Sequence, residues 1–333
     1  ALSSAKGGET IVMKSGDYGS LDISGKSFSS YVTLVSEEPL GAVFDQVKIR
    51  DTDYLRIDNV HVDNPSNGSS ASSIVSVTEG SNHVQFLNSE VNGKVDGTYT
   101  GHYGLYTKDV TDVTFSGNYV HDVKIGGTFY NAEDLTVSGN TIDYTGSDSL
   151  KFISVHGVLI EGNMGARHIY PEAGSHLDFI QFQGNDSSDI VIRGNVSLPG
   201  TRGDVQGIFM DDAHYTNVLI EQNVIVTGMI HGVTLTSGTN VVARNNTVIN
   251  LSDEGSKATK VMVDGQSYDN IQTSYLQDAS SGTNLTLQNV DSNGPLYYGD
   301  FFVNPEAGRW ITLEDLVAID GMIPDNMGAT GTI

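Results

Sequence analysis

The chain has 333 residues, including 38 glycines and no cysteine, with 38% hydrophobic residues and a formal net charge of −24 at pH 7. The lack of cysteine excludes disulfides, thiolate metal sites and cysteine nucleophiles. The negative charge disfavours nucleic acid and anionic membranes as partners because its field repels phosphate. No apolar run approaches the ~20 residues of a membrane-spanning helix, so no membrane insertion is expected.

The N-terminal segment predicts the beginning of a stacked structure. Residues Ala1 to Ala5 are interpreted as the tail of a capping helix. The following segment, Gly8-Glu-Thr-Ile-Val-Met-Lys-Ser-Gly-Asp-Tyr-Gly19, is interpreted as the first coil, because a short alternating run ends in Gly-Asp.

An internal repeat follows, and it determines the predicted fold. Each unit has alternating apolar residues, then Gly or a polar residue, then Asn. The units are Leu55–Asn59, Val84–Asn88, Val113–Asn118, Leu135–Asn140, Val158–Asn163, Ile190–Asn195, Val218–Asn223 and Val241–Asn246. Subtraction of successive Asn positions gives intervals from 22 to 32 residues. The longer step from Asn246 to Asn289 fits two short coils, with Asn270 as the intermediate member.

These short strands can bury an apolar face only by stacking, so the repeat predicts an all-β fold, a parallel β-helix over residues 1–295. The recurring Asn predicts a ladder of side-chain amides that bond from coil to coil. An antiparallel sandwich is disfavoured because it would need hairpin turns every ~8–12 residues.

The Gly8–Gly19 segment resembles the "GDTIVLAPGTY"-like opening of many parallel β-helix polysaccharide lyases. The Gly-Asn coil ends resemble those of the wider pectate-lyase-like superfamily. The resemblance spans roughly the first 290 residues. It implies a right-handed single-stranded β-helix and a polysaccharide as the partner.

Residues 296–333 form a different, C-terminal capping segment. Thr312 and Asp315 have capping-box spacing before an apolar run, which predicts a short helix. Its expected role is to cover the open end of the solenoid. The alternative is a contact in a homotrimer.

A second strand in each coil, about 13–15 residues before each turn Asn, predicts the functional surface. Its first column is Tyr103, Ile125, Asp148, Asp178, Gln206 and His231. The outward column beside it is Tyr106, Thr128, Lys151, Gln181, Phe209 and Thr234. These columns predict a groove that is rich in ionisable and aromatic side chains.

Paired carboxylates favour glycoside hydrolysis in this groove. Adjacent coils lie ~4.8 Å apart, so Asp148 and Asp178 are expected to be neighbours, one with a raised pKa. A separation of ~5 Å suits a retaining glycosidase, and a pair two coils apart approaches the inverting range. The predicted catalytic residues are Asp178, Asp148, Asp204 and His176. The segment His176-Leu-Asp178-Phe-Ile-Gln181 also resembles His-x-Asp-x-Ile-Gln strands of some bacterial β-helix proteins.

Elimination or epimerisation of a uronic acid is the competing chemistry. It needs a base, an acid and a cation near the sugar carboxylate, roles open to Lys151, Arg202, His176 and Tyr103 with Ca²⁺. Against it, the chain has only 17 Lys and Arg residues. It also lacks the Lys/Arg signature of chondroitinase-B-like lyases and the Asp-Pro-His motif of alginate epimerases.

The sequence therefore predicts an extracellular protein that acts on a polysaccharide or cell-surface glycan, either by cleavage or as a non-catalytic spike or adhesin of a phage-like particle. The predicted substrate-binding residues are Tyr103, Tyr106, Lys151, Gln181, Gln206, Arg202, Asp211 and His231. The expected chemistry requires no cofactor. A bound Ca²⁺ ion is left as an open alternative, because no residue pattern identifies metal ligands. His61, His83, His121 and His156 are interpreted as structural.

Overall fold

The computed structural model describes residues 1–66, 72–165, 167–170, 176–251, 259–273 and 283–329. These residues form a solenoid of short strands. Its described helices are single 3-10 turns at Leu2–Ser4, Tyr298–Asp300, Gly308–Trp310 and Glu314–Leu316. In the described part of the chain, no helix is both long and apolar enough to cross a bilayer.

The strands follow one another in a constant order around the coil. The first are β1 (Thr10–Met13), β2 (Gly16–Asp17), β3 (Ser20–Ser36), β4 (Ala42–Phe44), β5 (Gln46–Asp58), β6 (His61–Asp63), β7 (Ser73–Thr78), β8 (Asn82–Leu87), β9 (Glu90–Asn92), β10 (Tyr103–Ser116), β11 (Tyr119–Val123), β12 (Ile125–Ser138) and β13 (Thr141–Thr145). The others are β14 (Leu150–Ile153), β15 (His156–Glu161), β16 (Asp178–Gln183), β17 (Ser187–Arg193), β18 (Val196–Ser197), β19 (Gln206–Met210), β20 (Tyr215–Glu221), β21 (Val224–Thr227), β22 (His231–Leu235), β23 (Gly238–Arg244), β24 (Thr247–Asn250), β25 (Lys260–Val263), β26 (Gln266–Tyr268), β27 (Ile271–Thr273) and β28 (Leu285–Leu287).

The coils present three faces. The first face contains β7, β14, β16, β19, β22, β25 and the first halves of β3, β5, β10 and β12. The second face contains β1, β8, β15, β17, β20, β23, β26 and the second halves of those four long strands. The third face contains a six-stranded sheet from β2 to β13 and a five-stranded sheet from β18 to β28. All pairings between these strands are parallel, which confirms the predicted all-β, right-handed parallel β-helix.

The interior is a continuous apolar core because alternate strand residues point inward on each face. An aromatic stack runs through it, with ring centroids 4.9–6.4 Å apart between successive members. Its members are Phe86, Phe115, Phe129, Phe152, Phe182 and Tyr215. Phe86 and Phe115 pair in register on the second face, and Phe129, Phe152 and Phe182 pair in register on the first face, so stacked rings accompany the vertical register on which the surface columns depend.

The predicted Asn ladder lies at the turn between the second and third faces. In each coil the Asn side-chain amide and backbone N–H both donate to the side-chain oxygen of the next Asn, at 2.9–3.1 Å. The ladder consists of Asn118, Asn140, Asn163, Asn195, Asn223, Asn246, Asn270 and Asn284. Asn270 is therefore confirmed as the intermediate member.

The ladder assignment was wrong for Asn59, Asn88 and Asn289. Asn59 and Asn88 have positive φ, 57° and 47°, and occupy the left-handed position that precedes the ladder. Gly117 and Gly139 hold this position in later coils, with φ of 68° and 61°. Both Gly and Asn tolerate this conformation. The predicted ladder position in the coils of Asn59 and Asn88 was therefore one residue too early. At the far end, Asn284 takes the place predicted for Asn289.

The C-terminal segment has a 3-10 turn, Glu314–Leu316, where a short helix was expected. Asp315 accepts hydrogen bonds from the Thr312 backbone N–H and hydroxyl at 2.8 and 2.9 Å. The segment packs along the outside of the five-stranded sheet. The apolar cluster there includes Val224, Val226, Ile249, Ile311 and Leu316. The segment therefore covers the side of the solenoid, where a cover of its open end was expected. It packs there because this sheet is apolar on its outward side as well as on its inward side.

Candidate active site

Three outward columns on the first face form the floor of the candidate site. Strand register aligns Tyr103 with Ile125 and Asp178 with Gln206. The pairing of Leu150 with Ile180 brings Asp148 beside Asp178. The second column is the one predicted from Tyr106 to Thr234. The third column lies two residues further along each strand than the second. Its members are Lys108, Tyr130, Ile153, Gln183, Asp211 and Thr236.

Asp148 and Asp178 are the central pair. The Asp178 backbone N–H donates to Asp148 Oδ1 at 3.1 Å, and Asp148 Oδ2 lies 3.8 Å from Lys151 Nζ. Asp148 is 3% exposed and Asp178 is 0% exposed. Among the described residues, neither carboxyl oxygen of Asp178 has a hydrogen-bond partner. The two carboxyl groups therefore have different surroundings although they are neighbours.

The pKa values of both carboxyl groups are raised. Burial, followed by the charge of Asp148, raises the pKa of Asp178 to about 8. Burial also raises the pKa of Asp148, but Lys151 and the Asp178 N–H oppose this rise. Lys151 opposes the rise of the pKa at both carboxyl groups, but only Asp148 also accepts a hydrogen bond, so we expect Asp148 to ionise first and the proton to stay on Asp178. The pair can thus supply one proton donor and one proton acceptor.

A row of rings adjoins the pair. Gln206 Nε2 lies 2.7 Å from His176 Nδ1, and Gln206 itself is buried. The ring of Phe209 lies edge-on to His176 and His231, with centroid distances of 6.4 and 4.9 Å. His231 Nδ1 is 3.0 Å from Thr234 Oγ1. His176, Gln206 and His231 are therefore brought to one surface, as the register predicts.

At the other end of the floor, Tyr103 and Tyr106 stack with their ring centroids 6.4 Å apart. Burial raises the pKa of Tyr106, so its hydroxyl remains a donor. Lys151 pairs in register with Gln181 in the middle of the second column. Aromatic planes and hydrogen-bonding groups thus occupy one continuous surface, an arrangement suited to a ligand with apolar faces and polar edges.

Two predicted residues are engaged outside the floor, and a third, Asp211, lies within it. Asp204 forms an ion pair with Arg309 of the C-terminal segment at 2.8 Å. The Arg202 guanidinium lies over the Tyr170 ring, 4.8 Å from its centroid. Asp211 lies in the third column and accepts a hydrogen bond from Thr236 Oγ1. Glu172, which its place in the sequence puts near the predicted groove, lies outside the described residues.

A second cluster, on the third face, was interpreted from sequence as structural. His121 lies between two carboxylates, with Nδ1 2.6 Å from Asp122 Oδ2 and Nε2 3.2 Å from Glu90 Oε1. Hydrogen-bonded partners in this cluster, such as Asn92 with Asp63 and His61 with Asn92, are 29 to 31 residues apart in the sequence. Only the stacking of three coils brings them together, so no local motif could reveal them. Within the described ranges, no group of three His, Asp or Glu side chains is arranged to hold a metal ion.

Residues 45–250 match the family model described as a right handed beta helix region. This match covers more than half of the chain, so the protein belongs to the right-handed β-helix family. No curated protein matches the sequence.

Solved structures with a similar course include an alginate lyase from Paenibacillus sp. str. FPU-7, with 17% identity over 80% of this chain and 93% of that chain and a TM-score of 0.48. A lacto-N-biosidase from Eubacterium ramulus has 11% identity over 84% of this chain and 62% of that chain, with a TM-score of 0.48. A surface adhesin of Streptococcus pneumoniae has 11% identity over 86% of this chain and 79% of that chain, with a TM-score of 0.46. At these identities the likeness concerns the fold.

Proposed function

We propose that the protein is extracellular, binds a polysaccharide along the first face and hydrolyses its glycosidic bonds. The observation that carries this proposal is the Asp148–Asp178 pair. Asp178, protonated at neutral pH, would donate to the leaving oxygen. Asp148, stabilised as the anion by Lys151, would act as nucleophile or base.

The surrounding columns would bind the chain. Tyr103 and Tyr106 offer ring faces for sugars, while Gln181 and His231 offer hydrogen bonds. Hydrolysis is preferred to uronate elimination because Lys151 is already held by Asp148 and Arg202 lies over Tyr170. The mechanism requires no metal ion, since Lys151 supplies the positive charge at the pair.

The burial of Asp178 sets a condition on this mechanism. Its carboxyl group is fully covered, so a substrate reaches it only after covering side chains move. His176, which contacts Gln206 beside Asp178, would swing away when a sugar chain binds. The same burial favours a second candidate function, glycan binding without cleavage, in which the pair only shapes the groove.

The test is incubation with a panel of neutral and uronic polysaccharides. New reducing ends without ultraviolet-absorbing unsaturated uronates are expected. Asp178→Asn and Asp148→Asn should each lower the rate by about 100-fold or more, because each removes a proton-transfer group. Asp189→Asn is the matched control, because this exposed Asp of the same coil lies on the second face.

Each other outcome would reject hydrolysis by this pair. Unsaturated products would indicate elimination. Retention of a polysaccharide without products would indicate an adhesin. Unchanged hydrolysis by Asp178→Asn would place the chemistry elsewhere.

A further inference from the structure

The third face carries a polar pocket that the proposed hydrolytic site does not use. Its volume is about 360 Å³, and its lining is His61, Asp63, Pro65, Glu90, Asn92, Lys94, Val95 and His121. The strands β6, β9 and β11 supply most of this lining. Register pairs His61 with Glu90 and Asn92 with His121, so the polar side chains form two adjacent outward columns.

A hydrogen-bond network holds these side chains in place. Asn92 Nδ2 donates to Asp63 Oδ1 at 2.8 Å, and Asn92 Oδ1 lies 2.7 Å from His61 Nε2. Glu90 Oε1 lies 3.2 Å from His121 Nε2. Asn92 and His121 are 3% and 8% exposed, so packing as well as hydrogen bonds holds the base of the pocket in place. This preorganisation lowers the entropy lost when a ligand binds.

The network leaves acceptor capacity for a ligand. Toward the described residues, each of the two carboxylates forms its side-chain hydrogen bond through one oxygen, Asp63 Oδ1 or Glu90 Oε1. The second oxygen of each can therefore accept a hydrogen bond from a ligand hydroxyl. Both residues are only half-buried and border the cavity.

An aromatic wall adjoins the pocket. Tyr119, 37% exposed, is the register partner of Glu90, and its ring stacks on His121 with a centroid distance of 4.3 Å. Burial and nearby carboxylates raise the pKa of Tyr119 to about 12, so its hydroxyl remains a donor. The aromatic wall continues on the following coils, where the rings of Tyr144 and His168 stack with a centroid distance of 4.6 Å.

Charge narrows the ligand class. The lining includes the carboxylates Asp63 and Glu90, while its only cation within the described lining, Lys94, is paired with Asp96 at 2.9 Å. A uronate or sulfated sugar would be repelled. A neutral sugar has hydroxyl donors for the carboxylates and an apolar ring face for Tyr119.

We infer that the third-face pocket is a second sugar-binding site, separate from the first-face groove, that takes a neutral sugar unit of a polysaccharide. It anchors the chain without contributing to bond cleavage. The inference does not depend on hydrolysis at Asp178.

The test is native affinity electrophoresis in gels that contain a neutral glucan, galactan or mannan, with alginate as the anionic comparison. All proteins carry Asp178→Asn so that the gel polysaccharide stays intact. We expect at least one neutral gel to retard this parent protein more than alginate does. Glu90→Gln and Tyr119→Ala should each weaken that retardation about tenfold, because each removes a ligand contact. Glu133→Gln, an exposed change on the second face, should leave it unchanged.

Thermal unfolding of each variant shows that the fold is retained, and Tyr119→Ala serves if Glu90→Gln does not fold. Equal retardation of parent, Glu90→Gln and Tyr119→Ala would overturn the inference. So would stronger retardation by alginate than by every neutral gel, or no retardation at all. Hydrolysis by the wild-type protein is measured separately, so failure of this inference is distinguishable from failure of the proposed function.

Discussion

Asp178 couples the stability of the protein to pH. Its pKa is about 8 in the folded protein and near the ordinary value of 3.8 in the unfolded chain. Below pH ~4 both states bind the proton and no stability is lost. As pH rises from ~4 to ~8, the unfolded state releases its proton first, so the free energy of unfolding falls. Asp148, whose pKa is also raised, adds to this fall.

Asp178→Asn should flatten this dependence. The side chain keeps its shape but no longer ionises, so up to about 1.4 kcal/mol per pH unit of the slope should disappear. The variant should therefore be more stable than wild type at pH 8. Denaturant unfolding at several pH values between 4 and 8 measures both effects.

Asp189→Asn is the control for this prediction. Hydrogen bonds from Asn217 and Ser188 lower the pKa of Asp189. Its contribution is thus present above pH ~4 and lost in more acidic solution, so the slope between pH 5 and 8 should persist. A wild-type stability that rises over that range would contradict the assignment of a raised pKa to Asp178.

The sequence predicts the adjacency of the site residues better than their burial. Asp148 and Asp178 are neighbours because each stands at the same position of successive coils. Outward parity alone suggests an exposed pair, yet Asp178 is 0% exposed. The burial of an outward side chain depends on contacts from other parts of the chain, and such contacts carry no periodic signal. The pairing of Asp204 with Arg309 was equally hidden because the two are 105 residues apart.

At the scale of the element, the side chains of the Asn ladder supply hydrogen-bond partners for backbone N–H and carbonyl groups of the coils. Asn163 donates from Nδ2 to the Val137 carbonyl at 2.9 Å, and its Oδ1 accepts from the Asn140 backbone N–H at 3.0 Å. Both groups are buried away from water. Each ladder residue is therefore a backbone partner for the coils on either side.

Asn163→Ala should destabilise the protein by about 3 kcal/mol, because it leaves buried backbone groups without partners. Asn289→Ala is the matched control. Asn289 stands outside the ladder, so the change should stay within about 0.5 kcal/mol. Denaturant unfolding compares the two variants, and equal losses would show that the ladder position has no special weight.

The ladder was predictable because Asn recurs, and its register was not fully predictable because two adjacent turn positions accept Asn. One requires positive φ and the other requires an amide that bonds in both directions. In the coil of Gly139 and Asn140 the residue types separate the two positions. In the coil of Asn88 they do not, since Ser89 takes the ladder position.

At the scale of the whole molecule, two apolar cores meet across the five-stranded sheet. Ile225 points into the solenoid, while Val224 and Val226 point outward to the C-terminal segment. The segment is also tied by polar contacts, with Arg309 Nη1 donating to the carbonyls of Gly200 and Gly203 at 2.9 and 3.0 Å.

Removal of residues 296–333 should lower the melting temperature and cause self-association, because it exposes the outward apolar side of this sheet. Trp310→Ala is the control, since Trp310 is 74% exposed and its loss should have little effect. Thermal unfolding and light scattering measure the two effects. A monomeric truncated protein with unchanged melting temperature would show that the segment is dispensable.

The C-terminal segment also gives the third face a direction. Its described apolar residues pack on the half formed by β18 to β28 and not on the half formed by β2 to β13. The boundary is closed where Arg167 Nη2 donates to the Arg309 carbonyl at 3.2 Å. A polysaccharide lying along the half formed by β2 to β13 would have to end or turn aside where it meets this barrier. For a long polymer on the third face, the direction toward the C-terminal segment is therefore obstructed.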